Sequence, residues 1–273
     1  MKKTNLITLL SLIVAVLLVV AFASCRSVEK ENKESISASD IEILENNEKE
    51  IDTSVSTLLT ENTDATSENK TSEADDLNVQ PVSMNDALFI GDSRTVGIME
   101  YAGLKDANYF CSTGMNVFDI KKERLSVPSM GKVTLDEVLS NKKYGKIYVM
   151  LGINELGYEF KKVINKYNDL IEFIEEKQPD ATIIIQANLH VSKKLNDSDN
   201  YINNKNINKL NAELAKIANG KNIFYIDVNN LFDDGGGNLS ADKTSDNAHL
   251  YAKYYVEWGE WICTETAKLC KED

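Results

Sequence analysis

Only two histidines occur in the 273 residues, and His249 stands three positions after Asp246 near the C-terminus. If that segment turns, Asp246 can accept from one ring nitrogen and leave the other to take a proton from an alcohol. Far upstream, Gly91-Asp92-Ser93-Arg94 places a serine directly after a short apolar run. A serine nucleophile needs a base, a group that fixes the base's tautomer, and donors for the oxyanion that develops on the substrate. Ser93 at a strand-to-helix junction would expose its hydroxyl and offer its own N–H from a helix N-terminus. Gly114, in Ser112-Thr113-Gly114, lets a backbone N–H approach a substrate closely. Asn154, in Gly152-Ile153-Asn154-Glu155, adds a side-chain amide. Singly, Ser93 and His249 could be helix caps and Gly114 a turn residue. Their joint placement fits acyl transfer through a serine ester.

Such groups converge only if the chain delivers them to one edge. Five short runs rich in β-branched or aromatic residues predict strands at Ala87 to Ile90, Asn108 to Cys111, Ile147 to Leu151, Thr182 to Ile185 and Ile223 to Val228. Helical spacing recurs at Val163, Ile164, Tyr167, Leu170, Ile171 and Ile174, and again at Ile207, Leu210, Leu214 and Ile217. A last helix from about Leu250 carries Tyr251, Tyr254, Tyr255, Trp258, Trp261 and Ile262 as an aromatic side expected to dock on the core. Alternating strand and helix implies a parallel sheet covered on both faces, with ligands outside the carboxyl ends of the strands. The Ser93, Gly114 and Asn154 segments each follow a strand. The Asp246 to His249 segment lies between the fifth strand and the last helix.

In this order, a GDS block, a glycine block, a GxN block and a C-terminal DxxH block resemble the SGNH (GDSL-type) hydrolase family. The resemblance spans essentially the whole of residues 83–273. It implies an α/β fold, a flavodoxin-like three-layer α/β/α sandwich on a five-stranded parallel sheet, and hydrolysis of esters without metal or cofactor. Carried over by position, Ser93 is the nucleophile, His249 the base and Asp246 its orienter; the N–H groups of Ser93 and Gly114 and the Asn154 amide form the oxyanion hole. Two positions depart from the pattern. Arg94 replaces the leucine of the family name and is expected to face solvent or a nearby carboxylate. Glu155 replaces an aspartate that commonly follows the asparagine and is expected to hydrogen-bond within its loop. His190 shares the rim and reads as a loop residue without a catalytic part, while Asp227 is a rival orienter to which the resemblance gives no role.

The N-terminus reads differently. Lys2 and Lys3, a largely apolar run from Leu6 to Val20 and small residues up to Cys25 form a secretory signal over residues 1–25. Phe22-Ala23-Ser24-Cys25 resembles a bacterial lipoprotein processing box, which makes Cys25 the lipidation site; an uncleaved signal anchor is the alternative. Either places the domain outside the cytoplasmic membrane. Residues 26–82 hold fifteen Asp or Glu against five Lys or Arg, with no aromatic and no glycine, and read as a disordered acidic tether. Cys111, Cys263 and Cys270 match neither a zinc site nor a disulfide framework and read as small buried apolar residues. Nothing suggests nucleic acid as a partner, and no GxGxxG, Walker-type loop or paired-histidine metal spacing appears.

Little sequence is left for a deep acyl trough. Met115 to Lys132 is expected to supply one small apolar wall, and Leu231 to Ser245 a polar surface for hydroxyl-bearing substrates. The favoured substrate is a short acyl ester, such as acetyl, on cell-wall or extracellular carbohydrate. Acyl transfer, or lipase or thioesterase activity, would use the same triad, and a non-catalytic carbohydrate-binding module would use the same rim.

Overall fold

A computed structural model describes residues 82–269. The signal segment, Cys25, all but the last residue of the tether, and Cys270 lie outside the described residues. The five expected strands form one parallel sheet: β1 (Ala87–Gly91), β2 (Asn108–Cys111), β5 (Lys146–Met150), β6 (Thr182–Gln186) and β7 (Ile223–Ile226), in the order β2-β1-β5-β6-β7. Counting those five alone, the order is 2-1-3-4-5, the flavodoxin-like arrangement.

Side chains alternate across this sheet because successive residues of a strand point to opposite faces. Leu88, Ile90, Phe110, Ile147, Val149, Ile183 and Ile185 pack on one side. That core is closed by α2 (Leu135–Asn141), α3 (Phe160–Lys177) and α5 (Asn204–Ala215). Phe89, Tyr109, Tyr148, Met150 and Ile184 face the other way, under α1 (Ser93–Tyr101) and α7 (Ala252–Leu269). Phe89 stacks between Tyr109 and Tyr148, with ring centroids 5.2 and 4.3 Å away. Strands β1 and β5 read as almost continuous apolar runs since both of their faces are covered.

Three details differ from the expectation. Residues 115–132 are not one open wall: Met115 and Val117 are buried in the core, and β3 (Arg124–Val127) pairs antiparallel with β4 (Gly131–Thr134). Thr134 then starts α2 with a reciprocal capping box to Glu137. On α7, Tyr255, Trp258 and Ile262 are buried as expected, whereas Tyr251 precedes the helix and is exposed. Cys111 and Cys263 are free and only partly buried; burial pushes the Cys111 thiol up to about 12.

Two short helices complete the chain on the rim side, α4 (Lys193–Asn196) and α6 (Asn229–Phe232).

Candidate active site

Register alone gathers three of the candidate segments. Gly91 at the end of β1 lies opposite Cys111 on one side and Met150 on the other, so the chain leaves three adjacent strands at one level. Ser93 is the first residue of α1, behind Asp92, whose carboxylate accepts from the Arg94 N–H at 3.0 Å and caps the helix. The hydroxyl of Ser93 meets Nε2 of His249 at 2.8 Å. Nδ1 of His249 lies 2.6 Å from Oδ2 of Asp246. Oδ1 of the same carboxylate accepts from the N–H groups of Ala248 and His249, at 2.9 and 2.8 Å. Partial burial alone would raise the Asp246 pKa, but those two N–H donors, together with the His249 ring and its charge, hold the carboxyl well below the usual range. It therefore stays an acceptor, and the His249 proton sits on Nδ1. Nε2 is left to accept from Ser93.

The segment makes the turn this requires at Asn247, whose φ of 72° is left-handed, a region asparagine tolerates better than most residues. Ser192, beyond β6, fixes that turn from below. Its N–H donates to the Asn247 carbonyl at 2.9 Å and its hydroxyl to the Asn247 side chain at 2.9 Å. Neither residue was singled out from sequence, although asparagine inside Asp-Asn-Ala-His is a turn signal.

The expected oxyanion donors lie on two loops tied to each other. Gly114 has φ 77° and is exposed, so its N–H stands on a turn that a β-carbon would strain. The Asn154 amide donates to the Met115 carbonyl at 2.9 Å, which engages one of its two hydrogens and leaves the second for a ligand. Beneath it, Oε1 of Glu155 accepts from the Val117 N–H at 2.6 Å. Glu155 thus bonds a neighbouring loop as well as its own turn. Its carboxyl is 1% exposed, and Oε2 has no hydrogen-bond partner. Burial pushes it up to about 7 against the pull of the Val117 N–H, with the charge of Asp92 adding to the rise.

Residues 89–255 match the GDSL-like Lipase/Acylhydrolase family. The chain belongs to that family. It is a serine hydrolase of ester bonds. Among solved structures it is similar to a Streptococcus pneumonia protein named for platelet activating factor, at TM-score 0.52 and 19% identity over 67% of this chain and 83% of that one. A GDSL-like lipase from Bacteroides thetaiotaomicron gives TM-score 0.52 and 13% identity over 69% and 91%. These likenesses bear on the fold alone. No curated protein matches the chain.

Within this acylhydrolase, Arg94 does not face solvent; of the two expected surroundings it has the other, the nearby carboxylates of Asp92 and Asp246. It is 2% exposed, and its guanidinium donates to the Ala248 carbonyl at 3.3 Å, beside His249. Burial pulls its pKa down, while Asp92, Tyr255 and Asp246 pull it up. A buried arginine remains charged, and here it joins the Ser93 helix to the turn that carries His249. His190 is buried, with Nδ1 2.9 Å from Asp233 and Nε2 2.7 Å from Asn208, which ties its loop to α5 and to the segment after α6. Asp227 accepts from the Asn229 N–H at 2.9 Å and caps the turn into α6, a role separate from His249. The polar segment at 231–245 spends Asp234 on its own turn, accepting from Gly236 and Asn238.

Proposed function

We propose that this acylhydrolase removes short acyl groups, acetyl in the first place, from carbohydrate outside the cytoplasmic membrane, anchored there through lipidated Cys25. The observation that carries the catalytic part is the unbroken relay from Ser93 Oγ to His249 Nε2 at 2.8 Å and from His249 Nδ1 to Asp246 at 2.6 Å. In this reading Ser93 attacks the ester carbonyl as His249 takes its proton. The oxyanion then forms against the N–H groups of Ser93 and Gly114 and the free hydrogen of the Asn154 amide. Collapse expels the alcohol, which receives the proton from His249, and leaves the acyl group on Ser93. Water repeats the sequence: His249 accepts its proton, the carboxylic acid leaves, and the proton returns to Ser93.

Preference for a small acyl group is supported by where the apolar residues of the Gly114 loop go. Met115 and Val117, the side chains that could have lined an acyl trough, are 3% and 4% exposed and belong to the core. The extracytoplasmic reading rests on the sequence signal at residues 1–25. A fluorophosphonate probe should label the wild-type chain on Ser93 and leave Ser93→Ala unlabelled, with kcat lower by on the order of 10⁴ or more. A Ser93→Ala variant that keeps most activity would sink the triad. In the wild type, kcat/KM for 4-nitrophenyl acetate should exceed that for the eight-carbon ester; a rate that climbs with chain length would sink the small-acyl reading and leave the triad standing.

A further inference from the structure

Beside the Asn154 loop the rim carries aromatic rings that the core and the triad leave unused. Tyr158 is 63% exposed and Tyr201 56%, and both are large rings facing water. A ring left out of the core keeps apolar surface in water, and a ligand that covers it recovers that burial. Phe118, itself partly buried against the core, stacks on Tyr158 with centroids 5.4 Å apart and planes at 28°. Gly157 connects the two tyrosines. A β-carbon there would stand 3.2–3.3 Å from three atoms of the Tyr201 ring, tighter than ordinary contact, so its absence lets that ring lie close against the backbone.

The placement of these rings follows the site's own loops. Tyr158 is four residues beyond Asn154, and its N–H donates to the Glu155 carbonyl at 2.8 Å. Phe118 is four residues beyond Gly114 and adjoins Val117, whose N–H Glu155 holds. On the base side, Ile202, next to Tyr201, packs in a small cluster with Ile153, Leu156 and Ala248, the neighbours of Asn154 and His249. The rings therefore belong to segments that carry or contact both the oxyanion donors and the base.

We propose that Tyr158 and Tyr201, buttressed by Phe118, form a stacking platform for the sugar ring of the alcohol half of the ester. The inference rests on the carbohydrate reading above and gives it a binding surface. A pyranose presents an apolar face of axial C–H groups and a hydroxyl edge, which suits a tyrosine with its apolar body and polar tip. The adjoining segment from Asn200 to Asn208 holds five asparagines and a single charged residue, Lys205. Those amides bond within the protein and hold the segment that carries Tyr201, as Asn206 does by donating to the Tyr201 carbonyl, and so few charges in it favour a neutral sugar over an anionic headgroup.

The test compares two substrates on the full chain: acetylated cellotetraose, and 4-nitrophenyl acetate, which lacks a sugar. Tyr158→Ala and Tyr201→Ala should each raise KM for the oligosaccharide about tenfold, the loss of one good contact. Their kcat should hold, and both constants for 4-nitrophenyl acetate should match wild type. Tyr158→Phe should keep most of the affinity, since the ring face does the binding. Unchanged KM for the oligosaccharide in both alanine variants would overturn the platform and leave the carbohydrate reading intact; so would equal losses on both substrates, which would assign the tyrosines a structural role. A wild-type chain that cleaves 4-nitrophenyl acetate but no acetylated oligosaccharide would overturn the carbohydrate reading, and the platform with it.

Discussion

Replacing Glu155 by glutamine should change how stability depends on pH more than it changes stability at any one pH. In the wild type, burial moves this carboxyl from 4.5 up to about 7. A group whose folded pKa is raised contributes stability that is complete below its unfolded pKa and lost as pH rises through the folded one. Moving the pKa from 4.5 to about 7, at about 1.4 kcal/mol per unit, takes roughly 3 kcal/mol out of the folded state between pH 4 and 8. Glutamine keeps an oxygen for the Val117 N–H and cannot ionise. It also puts an NH₂ where Oε2 finds no partner, at a cost of about 1–3 kcal/mol that does not vary with pH. The variant should therefore be the less stable chain at pH 4, and the gap should close or reverse by pH 8. Urea unfolding at pH 4, 5, 6, 7 and 8 reads this directly, since titrating groups that do not interact with Glu155 are common to both chains and cancel. Parallel midpoint profiles, offset by a constant, would refute the raised pKa and the burial argument behind it.

Asp246→Asn should leave the fold intact and lower kcat by up to about 10⁴, less than Ser93→Ala, because the amide no longer fixes the His249 proton on Nδ1; activity within about twofold of wild type would remove Asp246 from the relay. Cys25→Ala should abolish incorporation of a labelled fatty acid while the esterase constants stay those of wild type. Equal labelling of that variant would refute the lipidation site.

The strands were legible because β1, β2, β5, β6 and β7 are short and rich in β-branched or aromatic residues, with the central ones covered on both faces. The hydrogen-bonded chain of Ser93, His249 and Asp246 was legible for another reason: only His249 of the two histidines has an aspartate at a spacing that a turn can close. The β3-β4 hairpin is hard to read because its strands are four residues long: Arg124-Leu125-Ser126-Val127 alternates polar and apolar, but over too few residues to stand apart from a loop. The burial of Arg94 is not legible, because a charged residue on a first helical turn usually reaches water. Here the His249 segment folds back over α1 and covers it, a tertiary contact between residues 154 positions apart that no local pattern encodes.

The two departures from the family pattern now have related physical accounts. Arg94 bonds the His249 turn to the Ser93 helix, and Glu155 bonds the Gly114 loop to the Asn154 loop. Both span a gap between segments whose relative position decides whether the groups of the site meet, and preorganised donors lose effect when such spacing slips. Side-chain length is what spans the gap. An aspartate at 155 would be one methylene shorter, so it could reach the Val117 N–H only if the Gly114 loop moved inward. A leucine at 94 would fill space without bonding the Ala248 carbonyl. Each long polar side chain also carries a cost, seen in the unpartnered Oε2 of Glu155 and Nε of Arg94. Such costs persist in a folded protein where the position of neighbouring groups matters more than local stability. In this acylhydrolase the two long side chains therefore set the spacing of the loops around Ser93, Asn154 and His249.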